Sequence, residues 1–431
     1  MSLAVLGVGA LLGLVLVEVV IRRSDVGAAL IFAVLVLGEV TPHIDLSLLT
    51  SPVRVGPNDL VVVVLLTAAV ARLLRARRLA PVHWMLIAFL ALVVWSIARG
   101  AGPHGIPAAV AEGRKYLQFT SALLYFSTVE FRHDLFGRIG RLWLVFTAVL
   151  CSITVARWVG NAAGVTSGFF AGYSNVRVIP AAMTLTLAQG AILAFPLLLQ
   201  RDRLLLRFVT PTLFAFVLLL QHRTVWIAAA AGTFYLLWRE RALAKRALTV
   251  LAVALGILSA LSFTVFDDEN NQISEQLATS AQSTGTLEWR YEGWVALFRD
   301  SGPRDAEEQL TGLPFGTGWT RVLSPGRVVD VSPHNFYIET FLRTGALGVG
   351  LLLAVYFLSL RATTNGGRED LPLGLLLTPT TLHVTVAMQL IYFITYSPDF
   401  AQAMLLGLAA SIATVSSRGH DYVSIHSESR V

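Results

Sequence analysis

Ser332-Pro333-His334-Asn335-Phe336-Tyr337-Ile338-Glu339-Thr340-Phe341-Leu342-Arg343-Thr344-Gly345-Ala346-Leu347-Gly348 decides how the chain is read, because a polar segment carrying titratable groups here runs into an apolar one. Ser332 can cap a helix and Pro333 suits its first position, which would set His334 in the first turn. Unpaired backbone N–H groups and the positive end of the helix dipole favour an anion there and lower an imidazole's pKa. A neutral histidine beside a place for phosphate is an arrangement fit for catalysis. Glu339 and Arg343 stand one helical turn apart and are spaced for an ion pair. Glu339 matches the face of His334 poorly, so the Arg343 pair is the expected use of its carboxylate.

The 431 residues are 55% hydrophobic and 14% charged, with a mean hydropathy of +0.67. That is more apolar surface than a soluble core can use, and it predicts a polytopic membrane protein. The single cysteine, Cys151, lies in an apolar run, so no internal disulfide forms and redox chemistry is not suggested. Leu3 to Ile21 is apolar with no basic residue before it and Arg22-Arg23 after it, the reverse of a cleavable signal peptide. It is read as a retained helix with its N-terminus outside. The net charge of +6 comes from basic residues at the ends of apolar runs. That pattern speaks of topology and excludes nucleic acid as a partner.

A helical span needs about 17 to 25 apolar residues, and Arg and Lys collect on the cytoplasmic side. Runs fall near 3–21, 26–40, 58–73, 81–98, 115–131, 142–158, 178–200, 207–221, 224–238, 247–266, 336–360, 372–395 and 401–416. Arg22-Arg23, Arg72/Arg75/Arg77/Arg78, Arg132/Arg138/Arg141, Arg201/Arg203/Arg207, Arg239/Arg241/Lys245/Arg246, Arg361/Arg368 and Arg418/Arg430 occupy alternate connections. The expected fold is therefore all-α, a bundle of about 12–13 transmembrane helices. Residues 1–266 would form ten helices, 267–333 a long extracytoplasmic loop, 334–416 three more helices and 417–431 a cytoplasmic tail. The loop opens with the solvated run Asp267-Asp268-Glu269 and a flexible turn at Ser280 to Gly285. Trp294, Leu297 and Phe298 then share one helical face, predicting a short amphipathic helix on the outer membrane surface or over a cavity. Gly312 to Gly318 is a glycine- and proline-rich turn.

Basic residues on the outer side run against the charge rule and are the candidates for chemistry. Arg223 sits between two apolar runs, where it either snorkels to the interface or binds an anion. Arg290 lies among aromatics and either stacks on Trp289 or Tyr291 or reaches a ligand. Arg177 and the Arg114-Lys115 pair also face outward and could serve as interfacial anchors. Gly345, Gly348 and Gly350 suit close helix packing. No outer Asp-x-Asp, His/Cys cluster or P-loop appears, so no metal, cofactor or nucleotide-sugar donor is expected.

His334-Asn335, nine residues, Gly345, two residues and Gly348 follow the His-Asn-x9-Gly-x-x-Gly spacing of a known signature. Upstream, Gly312-Leu313-Pro314-Phe315-Gly316-Thr317-Gly318-Trp319 is similar to its Pro-x-x-Gly-x-Gly element, one residue shorter. Arg223 with Thr224, and Arg290 followed by Trp294, look like its two arginine elements. Over residues 165 to 360 the chain resembles the O-antigen ligase and polymerase family of bacterial membrane glycosyltransferases, and its fold resembles the GT-C-like class. The resemblance implies a polyprenyl-diphosphate-linked glycan as donor and a glycan hydroxyl, on a lipid-linked glycan or anchor, as acceptor. It implies metal-independent, inverting transfer at the outer face of the bacterial cytoplasmic membrane, by a polymerase or a ligase. His334 would be the base, Arg290 and Arg223 would stabilise the diphosphate, and Arg177, Asn335 and Trp294 would contact substrate. A secondary transporter of a small solute or lipid-linked sugar is the alternative; paired repeats and midplane charges would favour it.

The charge alternation makes a direct prediction. In a Cys151-free background, single cysteines at Ser283 and Gly366 should label from opposite sides of the membrane; labelling from one side would overturn the topology.

Overall fold

A computed structural model describes residues 3–42, 44–48, 53–76, 78–170, 172, 176–199, 204–240, 252–253, 256, 285–323, 326–365 and 375–427. The acidic run at 267–269, the turn at 280–284 and nearly all of the expected span 247–266 lie outside these residues. The helices are α1 (Leu3–Arg22), α2 (Ser24–Val40), α3 (Pro57–Arg75), α4 (Pro81–Ala101), α5 (Ile106–Ser127), α6 (His133–Ala162) and α7 (Ala181–Ala194). The short α8 (Leu204–Arg207), then α9 (Val209–Leu219) and α10 (Arg223–Arg239), complete the first part. After it come α11 (Gly285–Ser301), α12 (Ala306–Thr311), strands β1 (Thr320–Leu323) and β2 (Arg327–Asp330), α13 (Phe336–Asn365), α14 (Pro379–Tyr392) and α15 (Phe400–Ser427).

Five helical stretches among the described residues are long and apolar enough to cross a membrane: Pro57–Arg75, Pro81–Ala101, His133–Ala162, Ala181–Leu198 and Phe336–Thr364. Exposed apolar side chains such as Val63, Val94, Val145, Phe234 and Phe357 stand on helix surfaces, where lipid rather than water suits them. The chain is a largely helical membrane protein. It is not all-α, however: β1 and β2 form an antiparallel hairpin with Thr320 opposite Asp330 and Leu323 opposite Arg327. Burial alternates along β1, and Leu323 and Val329 bury with Ala296 of α11.

Contacts sort the helix ends into two groups. At one end Arg72 donates to the Ile21 carbonyl at 2.7 Å and to Ser24 Oγ at 2.8 Å. There too, Arg138 meets Asp25 at 3.2 Å and Arg239 donates to the Thr364 carbonyl at 3.4 Å. At the other end Arg157, 3% exposed, bonds Glu39 at 2.9 Å and the Val178 carbonyl at 2.7 Å.

The segment Gly312–Trp319 threads between helices at the second end. Gly312, Gly316 and Gly318 have φ of 79°, 95° and 77°, a region that suits glycine. Leu313 N–H donates to the Leu342 carbonyl at 2.7 Å, and Phe315 N–H to the Ser96 carbonyl at 3.3 Å. In α13 the helix breaks at Gly345, with φ 63° and ψ −167°. A Cβ there would lie 2.2 Å from the Leu310 carbonyl, so the glycine admits the α12 backbone. A Cβ at Gly348 would lie 3.5 Å from Leu92 of α4, whereas one at Gly350 would meet open space, so Gly350 does not serve packing as expected.

Gly100 carries the closest approach in this region: a Cβ would stand 1.8 Å from the carbonyl oxygen of buried Phe315. Gly100→Ala should therefore lower the melting temperature in detergent, by an overpacking cost of about 1–3 kcal/mol. Gly350→Ala, with nothing within 4 Å, should not. Equal melting temperatures for the two variants would refute the packing assignment.

Candidate functional site

His334 lies just before α13 rather than in its first turn. Asn335 caps the helix: its Oδ1 accepts from Ile338 N–H at 3.0 Å. Ser332, expected to be the cap, instead donates to the Glu339 carboxylate and accepts from His334 N–H at 3.3 Å. His334 has a φ of 52°, strained for a residue with a side chain. Trp294 of α11 holds this turn, since its indole N–H donates to the Pro333 carbonyl at 2.7 Å.

The expected ion pair between Glu339 and Arg343 does not form; each finds a partner on α5. Arg343 Nε donates to Glu112 Oε1 at 2.6 Å, while Glu339 pairs with Lys115 and accepts from Ser397 Oγ at 2.8 Å. Both members on α13 are buried, with Glu339 0% and Arg343 1% exposed. A charge that deep needs a partner approaching from the neighbouring helix rather than one sharing its own solvated face. Glu112 Oε2 also takes Gly316 N–H at 2.5 Å, and Arg343 lies 4.0 Å from the centre of the Trp319 ring. Lys115 is thus no interfacial anchor; its neighbour Arg114 meets Asp59 at 2.9 Å.

Arg290 stacks on Tyr396, 5.0 Å from the ring centre, rather than on Trp289 or Tyr291. Arg321 of β1, 3% exposed, donates to the Trp319 carbonyl at 3.0 Å and the Val331 carbonyl at 2.7 Å. Its guanidinium crosses Gly293, where a Cβ would lie 3.0 Å from Nε. Among the described residues neither Arg290 nor Arg321 has a carboxylate partner, and the Nε of each is buried without an acceptor. Burial, with Asp330 opposing it, pulls the Arg321 pKa down.

Burial is also the largest cause holding the pKa of His334 below its ordinary value. The charges of Arg290, Lys115 and Arg321 push the same way, and Glu339 opposes them. The imidazole is therefore neutral at pH 7. Arg223 opens α10 next door: Thr224 Oγ1 accepts from Thr395 Oγ1 at 2.7 Å, and the His222 ring stands 6.5 Å from Tyr396. Arg177 lies close enough for its charge to act on His222. Tyr396, on the connection between α14 and α15, thus joins the Arg290 and Arg223 elements. Sequence reasoning missed Tyr396, Arg321 and Glu112, although Thr395-Tyr396-Ser397-Pro398-Asp399 is a polar run between two spans.

The site can bind an anion against unpaired guanidinium groups and offer it an uncharged imidazole. Among the described residues no three His, Cys, Asp or Glu side chains gather as a metal ion would require. The chain matches no protein-family model and no curated protein.

By the sign of these causes, His334 should titrate by NMR below 6.5. Arg290→Gln removes a nearby cation and should move the midpoint up; Glu339→Gln removes the opposing anion and should move it down. A midpoint indifferent to both would sink the electrostatic account.

Proposed function

We propose that this protein is a membrane glycosyltransferase that moves a glycan from a polyprenyl-diphosphate donor to a hydroxyl of a glycan acceptor, at the outer face of a bacterial cytoplasmic membrane. The supporting observation is the pair of guanidinium groups, Arg290 and Arg321, that lack carboxylate partners among the described residues and whose charges reach a neutral His334. A buried cation and a half-buried one, neither in an ion pair among the described residues, suit a ligand with more than one negative charge, and a diphosphate supplies it.

In this reaction the acceptor oxygen bonds to the anomeric carbon from the face opposite the leaving group, so the centre inverts. The carbon–oxygen bond to phosphate breaks, its electron pair leaves with the diphosphate, and the hydroxyl proton passes to His334. Arg290 and Arg321, joined by Arg223 from its neighbouring element, stabilise the charge that gathers on the departing lipid diphosphate. Asn335 and Trp294 act on substrate through the shape of the His334 turn, which one caps and the other holds. Arg177 acts with its charge on His222. The same donor chemistry serves a polymerase and a ligase, which differ in the acceptor.

A transporter would share the broken helix of α13, yet the Leu310 and Thr311 backbone fills that break, leaving the packing to account for it. Purified protein supplied with an undecaprenyl-diphosphate oligosaccharide and candidate acceptors should lengthen or transfer the glycan. Ladders of product indicate a polymerase and single transfers a ligase. His334→Ala should cost about 10²- to 10⁴-fold in turnover, and Arg290→Ala or Arg321→Ala about 10²- to 10³-fold. Unimpaired turnover in all three variants, at normal expression, would refute the assignment.

A further inference from the structure

A second imidazole lies across Tyr396 from Arg290. His222 is 7% exposed, and its Nε2 is 3.1 Å from the Ile179 carbonyl oxygen. A carbonyl oxygen can only accept, so Nε2 carries the proton. Burial, with the charge of Arg177 adding to it, pushes the pKa down to about 4, and the ring is neutral at pH 7. Nδ1 is therefore a bare lone pair. It is buried and has no hydrogen-bond donor among the described residues, a situation that costs folding free energy unless a ligand relieves it.

Its surroundings connect this nitrogen to the site. Among the described residues, the non-glycine positions with left-handed backbone are Gln221 (φ 53°) and His334 (φ 52°), each leading into a helix beside Tyr396. The Tyr396 ring stacks on Tyr392 at 5.0 Å and carries the Arg290 guanidinium at 5.0 Å. It stands edge-on to His222 at 6.5 Å. One aromatic ring thus meets His222 and the Arg290 guanidinium, whose charge acts on His334. His334 has three cations acting on it and lies where a diphosphate would bind; His222, on which Arg177 is the charge that acts, has a lone pair to offer and suits a hydroxyl.

We propose that His222 is a hydroxyl-binding residue of the acceptor subsite, its Nδ1 accepting a hydrogen bond from a sugar hydroxyl and thereby selecting and orienting the acceptor. This rests on the glycosyltransferase reading above. The nitrogen is buried, so an acceptor hydroxyl reaches it by a shift of the side chains around it. His222 takes no proton; it fixes where the hydroxyl sits.

Two substitutions separate this role from a structural one. His222→Gln keeps an N–H for the Ile179 carbonyl and loses the lone pair at the Nδ1 position. His222→Asn keeps an oxygen near Nδ1 and loses the Ile179 bond. With an undecaprenyl-diphosphate oligosaccharide as donor and dodecyl glycosides as acceptors, His222→Gln should raise the acceptor KM by about tenfold, the effect of one lost hydrogen bond. Its donor KM and melting temperature should stay at wild-type values. His222→Asn should keep the acceptor KM while lowering the melting temperature. A Gln variant that binds acceptor as well as the Asn variant does overturns the proposal and leaves the glycosyltransferase reading standing. Wild-type protein that transfers to no acceptor refutes that reading, and this inference with it.

Discussion

Two buried ion pairs between α5 and α13, Glu112 with Arg343 and Lys115 with Glu339, are the interactions on which the site depends. Charges in a low-dielectric interior are tolerated when paired and hydrogen-bonded, and a lost partner leaves a residue costing about 3–5 kcal/mol. The pairs therefore fix the register of one helix against the other. They also bind the loop elements between them: Glu112 takes the Gly316 N–H, Arg343 reaches the Gly318 carbonyl at 2.5 Å, and Glu339 takes Ser332 and Ser397. By using up both carboxylates, the pairs leave Arg290 and Arg321 without a neutralising partner among the described residues. The electropositive character of the site follows from how its anions are spent.

The same framework explains how strained backbone persists. A left-handed histidine costs on the order of 1–3 kcal/mol unless its surroundings hold it. At His334 they do so from two sides: the carbonyl of Pro333 before it accepts from Trp294, and its own N–H donates to Ser332, itself tied to Glu339. Asn335 then starts the helix independently. The imidazole is thus aimed by α11, by Ser332 and by the ion-paired carboxylate together, with helix α13 beginning behind it rather than under it. Burial and neighbouring cations hold its pKa below the ordinary value.

Apolar runs marked the helices well because span length and hydropathy act locally: the runs at 58–73, 81–98 and 224–238 became Pro57–Arg75, Pro81–Ala101 and Arg223–Arg239. The expected run 115–131 was misplaced to Ile106–Ser127, since Glu112, Arg114 and Lys115 read as loop charges. They are helical because their partners, Arg343, Asp59 and Glu339, lie far away in sequence. Glu339 and Arg343 illustrate the same limit, as spacing within a helix says nothing of a better partner on another. Arg290 was legible as a candidate from its position but not its contact, for Tyr396 is more than a hundred residues away. Arg321 was overlooked because a short hairpin between turns gives little periodicity.

The cations that would favour a diphosphate also weaken His334 as a base, and in the proposed reaction that conflict resolves itself in time. Burial and the charges of Arg290, Lys115 and Arg321 act on the imidazole with Glu339 as the opposing charge, so its proton affinity is low. A bound diphosphate sets negative charge against those guanidinium groups and cancels part of their field. Proton affinity at His334 then rises, as a like charge is removed and an opposite one approaches. Departure of the leaving group concentrates negative charge on the phosphate oxygens, which raises it further as the acceptor hydroxyl gives up its proton. In the proposed reaction His334 would thus be a stronger base with donor bound than without it, which would couple proton removal to donor binding.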